Sequence, residues 1–183
     1  MTQPTILLNA IIALTHRPLY LSGYDAISQL KSPDINLNVN THAHVHSWNS
    51  VFSGISVITN RITPKHLDTG GDSTGYDLLL SCGTHRKAYL HLDDVKARLS
   101  YSPGTVDMVC GRILNHSLPD WSGGERICVA HWMRCEVHDR LEVFKAGWSW
   151  HSRFTHLMDT EFVEEQKWKR IKKDGPRKRP RYS

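Results

Sequence analysis

The stretch from His66 to Arg126 constrains this chain more than any other. It opens with His66-Leu67-Asp68, reaches His116 in Gly-Arg-Ile-Leu-Asn-His-Ser-Leu, and closes on Arg126 in Gly-Glu-Arg-Ile-Cys-Val-Ala-His-Trp. In an extended His-x-Asp the first and third residues project from the same face, so one imidazole and one carboxylate reach a single metal ion without a turn. His116 then brings a third ligand from a different strand. Two imidazoles and one carboxylate on one side of an octahedron leave positions open for a bidentate keto acid and for dioxygen, the facial-triad arrangement of non-haem iron oxygenases. Arg126 completes the pattern. If the chain turns after His116 and returns as a neighbouring strand, an inward guanidinium holds the far carboxylate of 2-oxoglutarate through a forked pair of hydrogen bonds that Lys does not reproduce. A lone His-x-Asp means little in a chain with 12 His; the pair, the later His and the Arg together point to Fe(II), with 2-oxoglutarate and dioxygen as cosubstrates.

The residues between these groups read as strands. Ile55-Ser56-Val57-Ile58-Thr59-Asn60-Arg61-Ile62 is rich in β-branched side chains and leads into His66, so the ligand pair sits where a strand ends. Asn60 shares parity with His66, which makes it a candidate for the cosubstrate end of the pocket or for a strand-edge hydrogen bond. Thr69 to Gly75 is a loop placed to touch substrate. Short strands follow over Tyr76–Cys82, Ala88–Leu92, Ala97–Tyr101 and Thr105–Gly111, with Ile113–His116 as the neighbour of the last, and then Arg126–Met133. Ser102-Pro103-Gly104-Thr105 is a turn, because Pro presets φ and Gly accepts a positive φ. Almost no helical period falls between residues 55 and 138. The expected fold is mainly β with flanking helices, a jelly-roll or cupin-like double sheet whose interior mouth holds the metal.

The rest of the chain bounds this reading. With 183 residues, 39% of them hydrophobic, the chain suits one domain. The apolar run Ile6 to Leu14 is too short to span a bilayer and has no basic residue before it, so it is expected to cover one end of the core as a helix or strand. Thr15 to Ser50 is polar and reads as irregular, with Pro18 and Pro33 as punctuation. Within it His42, His44 and His46 share a face if extended; no carboxylate or thiolate accompanies them, which favours a flanking loop over a second metal site. Cys82, Cys110, Cys128 and Cys135 form no C-x-x-C pair and are expected as free thiols in a reducing compartment. The net charge of +5 is uneven: residues 167–183 hold nine Lys or Arg against Asp174, a net +8 that leaves −3 for the remainder. The expected organisation is a flanking segment over 1–50, a core over 51–145, a second flanking segment over 146–166 and a basic tail over 167–183. A helix is expected over Glu161 to Lys173. Lys172, Lys173, Arg177, Lys178 and Arg179 are candidate contacts to a phosphate backbone, and such clusters also act as nuclear import signals. A monomer without membrane contact is expected.

Taken together, Asn60-Arg61-Ile62-Thr63-Pro64-Lys65-His66-Leu67-Asp68, Tyr76 to Gly83, Tyr101 to Val106, Gly111-Arg112-Ile113-Leu114-Asn115-His116 and Glu125 to Arg134 resemble the core of the TET/JBP family of 2-oxoglutarate- and Fe(II)-dependent dioxygenases, most closely its fungal branch. The resemblance covers roughly residues 50 to 145. It implies a double-stranded β-helix and a nuclear enzyme that oxidises a methylated base in DNA, chiefly 5-methylcytosine to 5-hydroxymethylcytosine and beyond. It also implies iron ligation by His66, Asp68 and His116 and cosubstrate binding by Arg126. Cys128 falls where the family often has a small polar residue near the cosubstrate. Trp132 and Arg134 share parity with Arg126 and fall beside the target base; Tyr76 is a further candidate there. An inward Trp stacks on an extruded base. The chain is short before the iron site and lacks the cysteine-rich extension of animal members. An AlkB-like demethylase acting on N6-methyladenine, or a non-catalytic nucleic-acid-binding copy of the fold, is the alternative.

Overall fold

Apolar residues on both faces of one strand decide the layering. Leu78, Leu79 and Leu80 run consecutively, and a strand of that kind is stable only when both of its faces are covered. In the computed structural model, which describes residues 2–148, they lie in the middle of three layers. The strands are β1 (Gly54–Thr59), β2 (Thr63–His66), β3 (Asp77–Gly83), β4 (Lys87–Leu92), β5 (Ala97–Ser100), β6 (Val106–Val109), β7 (His116–Leu118), β8 (Trp121–Ser122) and β9 (Arg126–Trp132). Two antiparallel sheets result. One has the order β1-β9-β3-β6; the other has the order β2-β7-β4-β5, with β8 added against β4. This is the expected jelly-roll core.

The sheet β1-β9-β3-β6 buries one face under helices α1 (Thr2–Thr15) and α2 (Arg17–Leu30). Leu8 and Ile12 of α1 and Leu19 of α2 pack there with Phe52, Leu78, Leu80 and Met133. Its other face meets the second sheet through Val109, Cys128 and Ala130, opposite Ala88, Leu90, Leu92 and Leu118. Each fully buried aliphatic side chain contributes about 1.5–3 kcal/mol relative to exposure. The expected cover by the Ile6–Leu14 run is therefore a helix in contact with the back of the sheet that carries Arg126.

Two expectations fail at the N-terminal side. Residues 15–50 are not irregular, because they contain α2 and a further helix, α3 (Val39–His46). Pro18 starts a helix instead of breaking one: it stands in the first turn of α2, where its missing N–H has no intrahelical role. His16 caps that helix, its Nδ1 accepting from the Leu19 N–H at 3.2 Å. Asn38 caps α3 in the same way, its Oδ1 accepting from the Thr41 N–H at 2.8 Å. In helical geometry His42 and His46 meet one turn apart, with ring centroids 4.4 Å apart, while His44 points elsewhere. The three imidazoles do not share a face.

The sheet assignment of the ligand strands also differs from expectation. Residues 111–114 form a turn, with the N–H groups of Ile113 and Leu114 both donating to the Cys110 carbonyl. The strand that follows, β7, is therefore in the opposite sheet from β6 and is not its neighbour. A second irregularity sets the site. Between Thr63, opposite Leu118, and His66, opposite His116, β2 carries one residue more than β7. Pro64 lies in this bulge, which places His66 directly across from His116. A short helix α4 (Cys135–Arg140) follows β9. The expected segments 146–166 and 167–183, with the helix over Glu161 to Lys173 and the candidate backbone contacts Lys172, Lys173, Arg177, Lys178 and Arg179, lie wholly or almost wholly outside the described residues.

Candidate active site

His66 closes β2, Asp68 follows two residues later, and His116 opens β7 on the adjacent strand. Asp68 Oδ1 lies 3.5 Å from His66 Nε2 and Asp68 Oδ2 lies 3.4 Å from His116 Nε2. All three ligand atoms fall within 4.8 Å of one another, and among the described residues no other group of His, Cys, Asp or Glu converges in this way. The two imidazoles are held alike. His66 Nδ1 donates to the Pro64 carbonyl at 2.9 Å and His116 Nδ1 to the Leu114 carbonyl at 3.0 Å, in each case two residues back. A carbonyl oxygen can only accept, so Nδ1 is the donor on each ring and Nε2 is the atom left directed toward Asp68. That is the orientation metal-ligating histidines require. The Asp68 N–H is fixed by the Gly111 carbonyl at 2.8 Å.

These groups line a cavity of about 380 Å³ between the sheets, within the range of small-molecule sites. Arg126 enters it from the opposite sheet. The expectation that the chain returns after His116 as a neighbouring strand is wrong: β9 pairs with β1 and β3, so Arg126 faces β7 across the interior. It is 3% exposed. One Nη1–H donates to the Arg61 carbonyl at 2.9 Å, while Nε is buried and makes no bond. Among the described residues no carboxylate forms an ion pair with it. A buried charge faced only by the Tyr101 and Trp121 rings and one carbonyl costs free energy that an anion arriving from solution would offset.

From Arg126 the inward residues of β9 run Cys128, Ala130, Trp132, all on the cavity wall. Trp132 donates through Nε1 to Ser56 Oγ at 3.0 Å, and Gly54 leaves room for its indole. Arg134 lies over that ring, Cζ 4.9 Å from the centroid, and its guanidinium reaches Gly70 on the loop after Asp68. The end of β9 and the loop behind the ligand pair thus meet at the mouth.

Two sequence candidates are not in this cavity. Asn60 is exposed in a left-handed conformation (φ 47) and clamps the start of β9, its Oδ1 accepting from the Arg126 N–H at 2.9 Å and its own N–H donating to the Arg126 carbonyl at 2.8 Å. It serves the strand edge, not the cosubstrate. Tyr76 faces the helices, edge-on to His16 at 5.6 Å and to Trp148 at 6.2 Å. The error is one residue of parity: Leu78 and Leu80 face the helices, so Tyr76 does too, and Asp77 and Leu79 face the cavity. Asp77 was missed for this reason. Burial pushes its carboxyl up to about 7, helped by the Asp68 charge. Tyr101 was missed as well, because its inward direction depends on how the chain leaves β5. His131 lies on the other face of β9, 1% exposed and edge-on to the Phe52 ring at 5.7 Å.

Residues 8–135 match the family model Tet_JBP, the oxygenase domain of the 2OGFeDO superfamily. The chain belongs to the TET/JBP family. Among solved structures it is similar to NgTET1 in complex with 5mC DNA, at 18% identity and a TM-score of 0.44 over 60% of this chain and 41% of that one. It is also similar to a Cupin 2 conserved barrel domain protein from Salinispora arenicola CNS-205, at 16% identity and a TM-score of 0.33 over 48% and 68% of the two chains. The chain thus spans about two-fifths of the length of NgTET1. No curated protein matches it. Oxygenases of the 2OGFeDO superfamily use Fe(II), 2-oxoglutarate and dioxygen. The residues present suit that set: three convergent oxygen and nitrogen donors for a divalent iron and a buried cation for a dicarboxylate, in one cavity.

Proposed function

We propose that this TET/JBP chain oxidises a methylated base in DNA, with 5-methylcytosine converted to 5-hydroxymethylcytosine and further products. The observation that carries the reading is the buried guanidinium of Arg126 with no counter-charge, placed in the same cavity as the His66–Asp68–His116 cluster. His66, Asp68 and His116 would hold iron, and Arg126 would hold the distal carboxylate of 2-oxoglutarate. Bound there, the metal and its cosubstrates supply the oxidising power for hydroxylating a methyl group. The protein fixes geometry: Arg126 orients the keto acid from the opposite sheet, and the inner core around Leu90 and Leu118 keeps water from the closed end.

At the open end, Trp132 offers an aromatic wall, with Arg134 over it and Asp77 lining the same cavity. A base lifted from the duplex needs such a wall to replace the stacking it loses. The basic residues at 167–183 would supply much of the nonspecific affinity by releasing counterions from phosphates, and would serve nuclear import. Lys172, Lys173, Arg177, Lys178 and Arg179 are the proposed contacts.

The test is mass spectrometry of nucleosides from 5-methylcytosine and N6-methyladenine DNA after incubation with Fe(II), 2-oxoglutarate and air, with His66→Ala and Asp68→Ala as controls. Oxidised 5-methylcytosine that disappears in both variants supports the site and the substrate. Product from N6-methyladenine alone shifts the substrate; iron and 2-oxoglutarate binding without any base product refutes the DNA reading.

A further inference from the structure

Arg126 is not the only polar group at its end of the cavity. Tyr101 follows β5, is 1% exposed, and lines the same wall, its ring centroid 5.8 Å from Arg126 Cζ. Its backbone is pinned. The N–H donates to the Ala88 carbonyl at 2.9 Å, and the Tyr101 carbonyl accepts from Ser81 Oγ at 3.0 Å and His85 Nε2 at 2.9 Å. The ring is thereby held in place and the hydroxyl is free to turn. In this structure it donates to Cys128 Sγ at 3.2 Å. Sulfur is a weak acceptor, so a buried phenol has satisfied its donor poorly while a guanidinium next to it has no anion at all. Both deficits are removed by one event, the arrival of a carboxylate. Burial also pushes the Tyr101 phenol and the Cys128 thiol up, which keeps both protonated.

We propose that Tyr101 is a second anchor for the cosubstrate: its hydroxyl turns from Cys128 Sγ to the distal carboxylate that Arg126 grips. Cys128 then acts as the resting acceptor that occupies the phenol while the cosubstrate is away, and the donor to the carboxylate is the phenol, not the thiol. The inference rests on the reading of this cavity as the 2-oxoglutarate site. No oxidation or bond cleavage is involved, only exchange of one hydrogen-bond acceptor for a stronger, charged one.

Calorimetric titration of the full-length protein loaded with Mn(II) tests it, using 2-oxoglutarate and, as a keto acid without a distal carboxylate, pyruvate. Tyr101→Phe keeps the ring and the packing. It is expected to weaken 2-oxoglutarate by roughly 10- to 100-fold, the effect of losing one hydrogen bond to a charged group, while Mn(II) and pyruvate binding stay as in the wild type. Cys128→Ala is expected to bind 2-oxoglutarate as tightly as the wild type or more tightly. Equal weakening of pyruvate and 2-oxoglutarate by Tyr101→Phe, an unchanged affinity for both, or a loss caused by Cys128→Ala instead overturns the proposal. A wild-type protein that binds Mn(II) but not 2-oxoglutarate fails at an earlier point, in the cosubstrate reading of Arg126.

Discussion

Substituting Gly111 by Ala should damage the metal site while sparing the fold. Gly111 sits in the turn after β6, and a Cβ added there would press on Asp68 Oδ2, with Asp68 Cγ at 3.1 Å and Asp77 Oδ2 at 3.0 Å. Its φ is not among the positive values found at other glycines, so the backbone accepts Ala without strain. What must move is the end of the Asp68 side chain. Turning that carboxylate away from the two Nε2 atoms, now 3.4 and 3.5 Å from it, breaks the convergence that defines the site. Disturbing the surroundings of a metal ligand typically costs about 10- to 100-fold in metal affinity, or about 1.4–2.7 kcal/mol. Removing the entropy of a glycine in the unfolded chain offsets the local crowding, so stability should change by less than about 1 kcal/mol. Mn(II) affinity by calorimetry, with thermal melting of the metal-free protein alongside, measures both quantities. Gly71→Ala is the control, since a Cβ there meets nothing nearer than 3.7 Å. Unchanged Mn(II) affinity in Gly111→Ala, or an equal loss in Gly71→Ala, would refute the placement of Asp68 as a ligand.

Three further outcomes follow from the same geometry. Arg126→Lys keeps the charge and loses the fork, so 2-oxoglutarate affinity should fall by about 10-fold or more with Mn(II) affinity unchanged, both read by titration. His131 is buried, and burial pulls its imidazole down to about 4 despite an opposing backbone contact with Val129. The unfolded chain takes up a proton below about 6.5 that the folded chain refuses until about 4, so stability is lost as pH falls through that window, by about 3 kcal/mol. His131→Leu should remove this loss in urea unfolding at pH 7.5 and 4.5; an unchanged pH dependence counts against it. Asp77 has the opposite sign. Its carboxyl stays protonated in the folded protein up to about 7 while the unfolded one ionises near 3.8, so the metal-free protein loses on the order of 4 kcal/mol as pH rises through that interval. Asp77→Asn should flatten that slope, and a slope equal to wild type would exclude Asp77 as its source.

Much of the site was legible because its chemistry is local. His66-Leu67-Asp68 needs only an extended backbone to bring an imidazole and a carboxylate together, and the strand runs around it carry their own period-two pattern. What the sequence hides differs from element to element, and the first limit is that sequence neighbours do not reveal sheet neighbours. The short join between β6 and β7 suggests neighbours, yet the turn at residues 111–114 sends β7 into the other sheet. Tyr76 and Asp77 cannot be told apart by pattern, because both faces of β3 are covered by apolar layers and the run Leu78-Leu79-Leu80 has no alternation from which to read parity. α2 is hidden because Pro18 looks like a breaker unless His16 caps the helix, and a histidine is an uncommon cap.

The position of Arg126 in the opposite sheet gives the packing between the sheets a part in the site. Had the guanidinium stood on a strand beside β7, one sheet would carry the whole site and the distance from metal to anchor would be a matter of register. Instead the proposed metal ligands belong to β2, β7 and the loop after β2, and the proposed anchor belongs to β9 in the other sheet. The span available to the keto acid is then set by how the two sheets pack, at about 10 Å between mean planes. Leu90 and Leu118 from one sheet and Cys128 and Ala130 from the other hold that separation next to the cavity they help line. β9 is clamped at the Arg126 end by Asn60, through two hydrogen bonds, and at the other end by the Arg134 N–H bonded to Ser53 Oγ at 2.8 Å. Inner-core packing therefore acts as a positioning device, and changes to it should reach the cosubstrate through Arg126 while the His66–Asp68–His116 cluster, built within one sheet and its adjoining loop, keeps its own geometry.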